Sequence, residues 1–449
     1  MSRVTMKKAQ AGISLKLPDR FKEKSVNIFD ANDEFESLLL LESETWPMKS
    51  HCDPGGLCLV SSLKTQDEKN FAAEADAALR MDIAPVQVDD ESAGNVYFLK
   101  STSGHFCAVF KPADEEPGTP RKTGDKMKMV RTGVPVGEGY VREAAAYLLD
   151  HDGFAGVPPT AIVQVCSSKW SDSVFSWTTL ESSFESTNRL SRSTSCYEDS
   201  IDRVPFEGPV KVGSMQAYVS HHSCAEDVGP SLFTVDMVHR IGILDVRLLN
   251  TDRHGGNILI QTVMEGSNSL HLSKKMGQRR TMSYCESSQR EDFRSSLRLV
   301  PIDHGLCLPR IDRLGTNSFD SDDDVVTLEW MNWPQAKKPF SHEIIHYVKC
   351  LDTDAEVNML QNELSGMLSE DEFMTLRVCT TLLKHMVSNG YCLFEIGTVI
   401  MTPKLKSMVD SVLLPSRESL SSKNELIAYF NRFQIILEAE FPRKEIHIL

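Results

Sequence analysis

Two short stretches carry the residue types that phosphoryl transfer needs. Asp252 and Asn257 lie five residues apart in Asp252-Arg253-His254-Gly255-Gly256-Asn257, and Asp303 opens Asp303-His304-Gly305. Transfer of a phosphoryl group requires side chains that neutralise its charge, position a hydroxyl and hold Mg²⁺ through oxygen ligands. We therefore predict a catalytic set of Asp252, Arg253, Asn257 and Asp303, with Asn257 and Asp303 as the metal ligands.

A lysine upstream completes the pattern. Lys111 ends the apolar run 106–110, where a fixed cation could hold nucleotide phosphates. The order Lys, Asp-x-x-x-x-Asn, Asp-x-Gly is more specific than any of its parts, and its Asp-to-Asn spacing is that of protein kinases. Taken alone, Lys111 could be a surface lysine, and each aspartate stretch could be an ordinary turn. The chain has no GxxxxGK[ST] stretch, which disfavours a Walker-type nucleotide site.

The sequence pattern around Lys111 predicts a strand-rich region. Two apolar runs, 96–99 and 106–111, flank the turn Ser103-Gly104-His105 and predict a β-hairpin. A helix is predicted at 141–150, after a glycine-rich stretch at 133–139. The other elements predicted in this half are a helix at 67–80 and strands at 157–165 and 215–219.

The segments around and after Asp252 read as helical. In the stretch 233–249, apolar residues recur at intervals of three and four, as a helix with one buried face requires. Further helices are predicted at 341–351, 354–367, 370–389 and 423–440. The predicted fold class is therefore α+β, in a two-lobed protein-kinase-like fold with a strand-rich N-lobe and a helical C-lobe.

Serine-rich stretches set the predicted domain organisation. The stretches 167–200 and 265–298 have many serines and charges and few apolar residues, so we predict that both are disordered insertions. The predicted domains are a partly disordered N-terminal extension at 1–89, an N-lobe at 90–220 and a C-lobe at 221–449.

Composition narrows the partners and the compartment. The net charge of −15 argues against nucleic-acid binding, which needs clustered Lys and Arg. Eleven scattered cysteines without CxxC pairs fit a reducing compartment. No segment approaches the roughly 20 apolar residues of a membrane span. We expect a cytoplasmic protein, with the nucleus as an alternative compartment, and peripheral contact with membranes if its substrate is a lipid.

Five blocks of the chain resemble the plant type II-like phosphatidylinositol 4-kinases, the gamma group of the phosphatidylinositol 3/4-kinase family. The blocks are Val96 to Leu99 with Phe110 to Pro117, Arg142 to Asp150, Gly213 to Val219, Leu248 to Ile260, and Pro301 to Gly305. This resemblance runs from about residue 90 into the C-terminal helices. It implies a kinase that uses ATP and Mg²⁺ and acts on phosphatidylinositol in membranes, with protein substrates as a further option.

Site residues follow from the resemblance one by one. It implies that Lys111 binds the ATP phosphates and that Asp252, Asn257 and Asp303 have the roles given above. A phosphate-covering loop is implied at Ser92, Ala93, Gly94, Asn95, Val96, Tyr97 and Phe98, and an adenine-contacting hinge at Gln216, Ala217, Tyr218 and Val219. The carboxylate partner of Lys111 stays open between Glu143, Glu115 and Glu116.

Other readings remain at this point. A Ser/Thr protein kinase of the same fold would use the same residues on the ATP side, and the glycine-poor loop also fits a nucleotide-binding scaffold with weak or no turnover. The stretch His342-Glu343-Ile344-Ile345-His346 matches the HExxH pattern of zinc hydrolases. Pro339 and Ser341 place it in the first turn of a helix, whereas zinc hydrolases embed it within one. We prefer the interpretation that these are two partly exposed histidines on a helix of the C-lobe.

Charged loops offer two weaker signals. Arg121, Lys122, Lys126, Lys128 and Arg131 form a basic run that could face anionic lipid or be a solvated loop. The acidic stretch 317–324 contains two serines that could be phosphorylated, although a solvated loop is the preferred interpretation.

Overall fold

The computed structural model describes most of the chain from residue 55 onward. The described ranges are 55–88, 95–119, 133–167, 210–264, 295–311, 326–412 and 423–444. Several predictions therefore lie outside the described residues: the extension up to residue 54, nearly all of both serine-rich insertions, the loop residues Ser92, Ala93 and Gly94, the basic run, and the acidic stretch 317–324.

A six-stranded antiparallel sheet forms the smaller lobe. Its strands are β1 (Leu57–Leu59), β2 (Val86–Gln87), β3 (Tyr97–Lys100), β4 (Phe106–Pro112), β5 (Thr160–Cys166) and β6 (Val210–Ala217), in the spatial order β1-β5-β6-β4-β3-β2. The predicted hairpin of β3 and β4 is confirmed, with Gly104 at φ 85° in its turn. Side chains alternate along it: Tyr97 and Phe110 are buried on one face, and Phe98, Val109 and Lys111 are half-buried on the other. Lys111 therefore projects from the less covered face.

Two helices pack on this sheet. Helix α1 (Gln66–Arg80) contacts β1, β3 and β4, and begins with a capping box in which Thr65 and Glu68 exchange hydrogen bonds. Helix α2 (Gly139–Leu149) contacts β5 and β6. Both helices were predicted from the sequence, and both are confirmed within about two residues.

The small lobe begins upstream of the predicted boundary at residue 90. β1 pairs with β5 through Leu57↔Val165, and β2 pairs with β3 through Val86↔Phe98, so both early strands belong to the same sheet as Lys111. Strands of two or three residues are too short to show alternation, which is why the sequence pattern did not reveal them.

Helices dominate the larger lobe. They are α3 (Val235–Leu248), α4 (His342–Cys350), α5 (Thr353–Glu363), α6 (Glu370–Ser388), α7 (Leu393–Ile400), α8 (Lys404–Ser411) and α9 (Lys423–Glu440). Helix α3 packs against α6 and α7. Gly242 makes the α7 contact possible, because a Cβ at this position would lie 2.3 Å from Leu393 Cδ2. The core around them holds fully buried Trp330, Tyr429 and Phe433. None of the described helices has both the length and the apolar character to cross a bilayer.

Short strands carry the predicted catalytic stretches. β9 (Ile258–Met264) lies between β10 (Ser295–Pro301) and β7 (Ser223–Cys224) in a three-stranded sheet, and β8 (Asp252–Arg253) pairs in parallel with β11 (Thr327–Leu328). β9 therefore follows the Asp252 stretch directly, and β10 leads into Asp303. Their antiparallel pairing, Ile258↔Pro301, brings the two stretches side by side.

A buried ion pair braces the small lobe. Lys211 on β6 donates to Glu115, and both side chains are nearly inaccessible, at 1% and 10% exposure. Glu115 also accepts from Asn95 Nδ2 at 2.6 Å and from the Tyr97 hydroxyl at 2.9 Å. Asn95, which belongs to the predicted phosphate-covering loop, is thereby tied to the segment that follows Lys111.

We expect Lys211→Met to lower the free energy of unfolding by about 3–5 kcal/mol, because it leaves the Glu115 carboxylate buried without its cation. Equilibrium urea unfolding measures the loss. The double variant Lys211→Met with Glu115→Gln removes the charge at Glu115 and should recover part of the loss, because Asp114, 3.4 Å from Lys211, still lacks its cation. A single variant as stable as the unmodified protein would contradict this account.

Candidate active site

Three charged side chains from the two lobes meet at one position, and we call the space beside Lys111, Glu143 and Asp303 the cleft. Lys111 Nζ lies 2.6 Å from Glu143 Oε1 and 2.9 Å from Asp303 Oδ1. The residues come from β4, from α2 and from the segment after β10, so the contact joins parts of the chain up to 192 positions apart. Lys111 is about a third exposed and Asp303 is half exposed, whereas Glu143 is buried. The arrangement presents a fixed ammonium and a carboxylate to whatever enters the cleft.

The three groups set one another's ionisation. Burial alone would lower the pKa of Lys111, but the carboxylates of Asp303 and Glu143 more than offset this and raise it. Lys111 in turn holds the pKa of Asp303 at about 2, against the opposing effect of burial. Burial raises the pKa of Glu143, which Lys111 partly counteracts. Asp303 is therefore ionised at neutral pH and available to a cation.

The structure selects Glu143 from the three candidate partners of Lys111. Glu143 also accepts the backbone N–H of His304 through Oε2 at 3.1 Å, which ties α2 to the Asp303 stretch. Glu115 is occupied by Lys211, as described above. Glu116 accepts from the first residues of α2, including the Tyr140 N–H at 2.7 Å. Neighbouring glutamates in the sequence therefore have separate tasks.

Asp303 has a backbone conformation that residues other than glycine rarely adopt. Its φ is +56°, in the left-handed region that aspartate tolerates better than most residues. The neighbouring His304 is fully buried, and burial followed by the nearby Arg253 cation lowers its pKa well below the usual value, so its ring is neutral. The turn thus places His304 inside the fold and Asp303 in the cleft.

Arg253 connects the two predicted catalytic stretches. Its Nη1 donates to the Asn257 carbonyl at 2.7 Å and to the Ile302 carbonyl at 2.6 Å, and its side chain is fully buried. We predicted Arg253 in the catalytic set on its position beside Asp252. The structure places it beneath the cleft, where its Nε and Nη1 donate to protein groups. Arg253 is therefore a positioning residue that fixes Asn257 relative to Asp303.

Asp245 is a site residue that sequence reasoning missed. Its buried carboxylate on α3 accepts from Arg253 Nε at 3.1 Å, from Asn250 Nδ2 at 3.0 Å and from Trp330 Nε1 at 3.0 Å. Asn250 in turn accepts the Asp252 N–H through its side-chain oxygen at 3.1 Å. The available signal was an aspartate among Ile243, Leu244, Val246 and Leu248 on the buried part of the helix, since a buried carboxylate requires partners.

Asn257 and Asp303 have the donor set that Mg²⁺ prefers. Asn257 lies in a short 3₁₀ turn, Gly255–Asn257, and its Nδ2 donates to the Asp252 carbonyl at 3.1 Å, which orients the amide. The Ile302 N–H donates to the Asn257 carbonyl at 3.0 Å, so Asn257 is held directly beside the residue that precedes Asp303. One amide oxygen and one half-exposed carboxylate fit a magnesium site that phosphate oxygens would complete.

The predicted hinge connects the small sheet to the large lobe. At the end of β6, the Ala217 N–H donates to the Pro159 carbonyl at 2.8 Å and the Tyr218 N–H to the Cys107 carbonyl at 3.0 Å. The Gln216 side chain donates to Thr160 Oγ1 at 2.9 Å. After Val219 the chain continues to β7. Gln216 to Val219 is thus a braced connection between the lobes, as a hinge requires.

Aromatic rings lie beside the hinge on the face that carries Lys111. Phe98 contacts Phe106 and Tyr218 edge-on, with ring centroids 5.0 Å and 5.5 Å apart. Of the predicted phosphate-covering loop, Phe98 therefore lies on the cleft side. The Tyr97 ring is buried on the opposite face and bonds to Glu115, so it supports the sheet and does not enter the cleft. The predicted place of Tyr97 in the phosphate-covering loop, where backbone groups would face the phosphates, stays a prediction.

The HExxH stretch occupies the first turn of α4, as predicted. Ser341 caps this helix by accepting the Ile344 N–H at 3.3 Å. His342, Glu343 and His346 are exposed, and Glu343 bonds to Arg240 at 2.9 Å. Within the described ranges, no three His, Cys, Asp or Glu side chains are grouped to hold a metal ion.

We expect the purified protein to carry no stoichiometric zinc at this stretch, because both histidines are exposed and, among the described residues, they are not grouped with a third metal ligand. Elemental analysis of the unmodified protein and of His346→Ala should give the same zinc content, and neither should cleave casein. One equivalent of zinc that disappears in His346→Ala would restore the hydrolase interpretation.

A strand-rich lobe, a helical lobe, and a cleft that joins a strand lysine to two carboxylates define the class of kinase-like phosphotransferases. The family model for phosphatidylinositol 3- and 4-kinase matches residues 93–396. This range contains Lys111, Glu143, Asp252 and Asp303. The chain belongs to the phosphatidylinositol 3- and 4-kinase family.

Plant proteins are among its relatives. Phosphatidylinositol 4-kinase gamma 1 from Arabidopsis thaliana is 37% identical over 311 residues, which cover 68% of this chain and 44% of that protein. Phosphatidylinositol 4-kinase gamma 4 from the same plant is 31% identical over 84% of this chain and 57% of its own length. A gamma 4 protein from Oryza sativa subsp. japonica is 33% identical over 74% of this chain and 48% of its own length. The chain thus spans about half the length of these relatives.

Proposed function

We propose that this chain transfers the γ-phosphoryl group of ATP to an inositol hydroxyl of phosphatidylinositol, as a 1-phosphatidylinositol 4-kinase. The observation that carries the proposal is the contact of Lys111 with both Glu143 and Asp303, beside a loop that holds Asp252 and Asn257. A lysine fixed by a helix carboxylate and a metal-binding aspartate are the parts that ATP-dependent transfer requires.

Each residue then has a physical task. Lys111 neutralises charge on the nucleotide phosphates, and Glu143 keeps its ammonium in place. Asp252 accepts the proton of the attacking hydroxyl, while Asn257 and Asp303 hold Mg²⁺. Mg²⁺ held by these two residues would neutralise phosphate charge and so reduce the repulsion that the acceptor oxygen meets. Phe98 and the hinge at Gln216 to Val219 contact the adenine.

The acceptor is proposed from the relatives rather than from the cleft. The plant proteins that match most of this chain carry phosphatidylinositol 4-kinase in their names. Residues such as Lys111 and Asp303 determine the donor side and would equally serve transfer to a protein hydroxyl. A phosphatidylinositol acceptor implies that the protein works at a membrane surface, and we propose a cytoplasmic, peripheral location on that basis.

Labelled ATP distinguishes the acceptors. The pure protein is incubated with Mg²⁺, labelled ATP, phosphatidylinositol vesicles and a generic protein substrate, beside Asp303→Asn as the inactive control. Label in phosphatidylinositol 4-phosphate, absent with Asp303→Asn, supports the proposal. Label in protein alone would move the assignment to a protein kinase, and nucleotide binding without transfer to either acceptor would favour a scaffold.

A further inference from the structure

Glu116 holds the beginning of helix α2 from outside that helix. Its Oε2 accepts the Gly139 N–H at 2.9 Å and its Oε1 accepts the Tyr140 N–H at 2.7 Å. These N–H groups lie in the first turn of α2, where no intrahelical acceptor exists. Glu138, at the cap position, makes no capping bond with its own side chain. A residue 23 positions upstream therefore supplies the cap.

Gly139 makes this close approach possible. A Cβ at position 139 would lie 3.0 Å from Glu116 Oε2 and 3.1 Å from its Oε1, a contact so tight that the carboxylate would have to shift by a few tenths of an ångström. The carboxylate therefore sits directly against the helix backbone. Its negative charge also lies at the positive end of the helix dipole, which strengthens the contact.

The segment 111–116 bonds to α2 at two points. Lys111 bonds to Glu143 at 2.6 Å, and Glu116 bonds to Gly139 and Tyr140. Tyr140 and Glu143 are three positions apart, so the two points lie about one helical turn from each other on the same helix. Helix α2 is also held by its packing on β5 and β6 and by the bond of Glu143 to the His304 N–H, and the Glu116 contact adds a fixed point at its first turn.

We propose that Glu116 is a positioning residue of the phosphoryl-transfer site: by capping α2 it places Glu143, and through Glu143 it places the Lys111 ammonium. The proposal rests on the proposed function for its kinetic consequence, but its structural consequence does not depend on it. Loss of the Glu116 carboxylate releases the start of α2 and loosens the geometry of Lys111, Glu143 and Asp303.

The charge state of Glu116 changes the strength of its bonds to α2. Burial raises the pKa of Glu116 to about 7, while the N–H groups of Gly139 and Tyr140 and the nearby Arg142 act to lower it and Glu143 acts to raise it. Protonation turns one of its two oxygens into a hydroxyl, which accepts an N–H much more weakly than a carboxylate oxygen does. Both bonds of Glu116 to α2 are therefore strong above about pH 7, and one of them is weakened below it. Glutamine at position 116 would imitate the protonated state.

Paired capping variants test the proposal. Glu116→Ala removes both acceptors, and Glu116→Gln keeps one. The matched control is Asp352→Ala, which removes the carboxylate that caps α5 by accepting the Ala355 N–H at 3.1 Å, in the other lobe. For each variant we would measure kcat and KM for ATP against pH, the affinity for MgADP, and hydrogen exchange of the α2 amides by mass spectrometry.

The proposal expects a graded effect confined to Glu116. Glu116→Ala should lower kcat/KM for ATP by tenfold or more and speed exchange in the first turn of α2, with Glu116→Gln in between and Asp352→Ala unchanged in both. The difference in rate between unmodified protein and Glu116→Gln should shrink below about pH 7. Equal effects of Glu116→Ala and Asp352→Ala, or unchanged α2 exchange, would overturn it. If the unmodified protein transfers no phosphate, the proposed function fails, and MgADP affinity and α2 exchange still decide the role of Glu116.

Discussion

Replacing Asp303 with alanine is expected to reduce kcat for phosphoryl transfer by about 10³-fold while MgADP still binds. Two carboxylates contact the Lys111 ammonium, and the variant removes only one of them. Glu143, 2.6 Å from the Lys111 ammonium, should hold this cation in place when Asp303 is lost. The half-exposed carboxylate that would hold Mg²⁺ is gone. Steady-state kinetics with phosphatidylinositol vesicles, beside calorimetric titration with MgADP, separate the two effects.

Backbone strain is the competing explanation, and three substitutions separate it from charge. Asp303 has φ +56°, where alanine costs about 1–2 kcal/mol and glycine nothing. Asp303→Gly and Asp303→Asn both tolerate this conformation but lack the carboxylate. If the carboxylate matters, all three variants are equally inactive; recovery in Asp303→Gly or Asp303→Asn would assign the loss to strain. Glu343→Ala, which removes an exposed carboxylate on α4, is the control with unchanged activity.

Acid should not switch off Asp303 in the working range. Lys111 holds the pKa of Asp303 at about 2, so its carboxylate stays ionised above about pH 4. A folded-state pKa below the ordinary value means that this group contributes stability above that value and loses it only as the pH falls toward 2. Any loss of activity between pH 6 and about 8 must therefore come from other groups.

Features of this protein that are long, periodic or defined by a fixed residue spacing could be predicted from the sequence. The hairpin of β3 and β4 shows alternation around a glycine turn, and α3 shows a full apolar stripe. Lys111, Asp252 and Asp303 could be recognised because their order and spacing are constrained by the chemistry. The structure brings Lys111 and Asp303 together, in agreement with that reasoning.

Contacts between distant parts of the chain were beyond such reasoning. Glu115 and Glu116 are adjacent in the sequence and alike in type, yet one neutralises Lys211 and the other caps α2. Only the three-dimensional arrangement assigns Glu143 to Lys111. The same limit applies to Arg253, whose position beside Asp252 suggested catalysis and whose buried contacts show a bracing role. Spacing reports local geometry, whereas partners are chosen by the fold.

Removing the Lys111 ammonium is the second large effect that we expect. Lys111→Met should lower kcat/KM for ATP by about 10²–10³-fold, because no other cation among the described residues contacts both Glu143 and Asp303. The methionine also leaves two carboxylates near each other without a shared cation, which should raise the pKa of Asp303. Lys64→Met is the matched control. Lys64 bonds to carbonyls at the far end of α2, the helix that carries Glu143, including Tyr147 O at 2.9 Å.

A double-variant cycle shows whether Glu143 acts through Lys111 or on its own. Glu143→Gln alone should reduce kcat/KM by about 10-fold to 10²-fold, since Lys111 would then be held by Asp303 only and drawn toward the metal position. If Glu143 works solely by placing the ammonium, Lys111→Met with Glu143→Gln should be no slower than Lys111→Met. Additive losses in the double variant would show that Glu143 has a separate task. The bond of Glu143 to the His304 N–H is one contact through which that task could run.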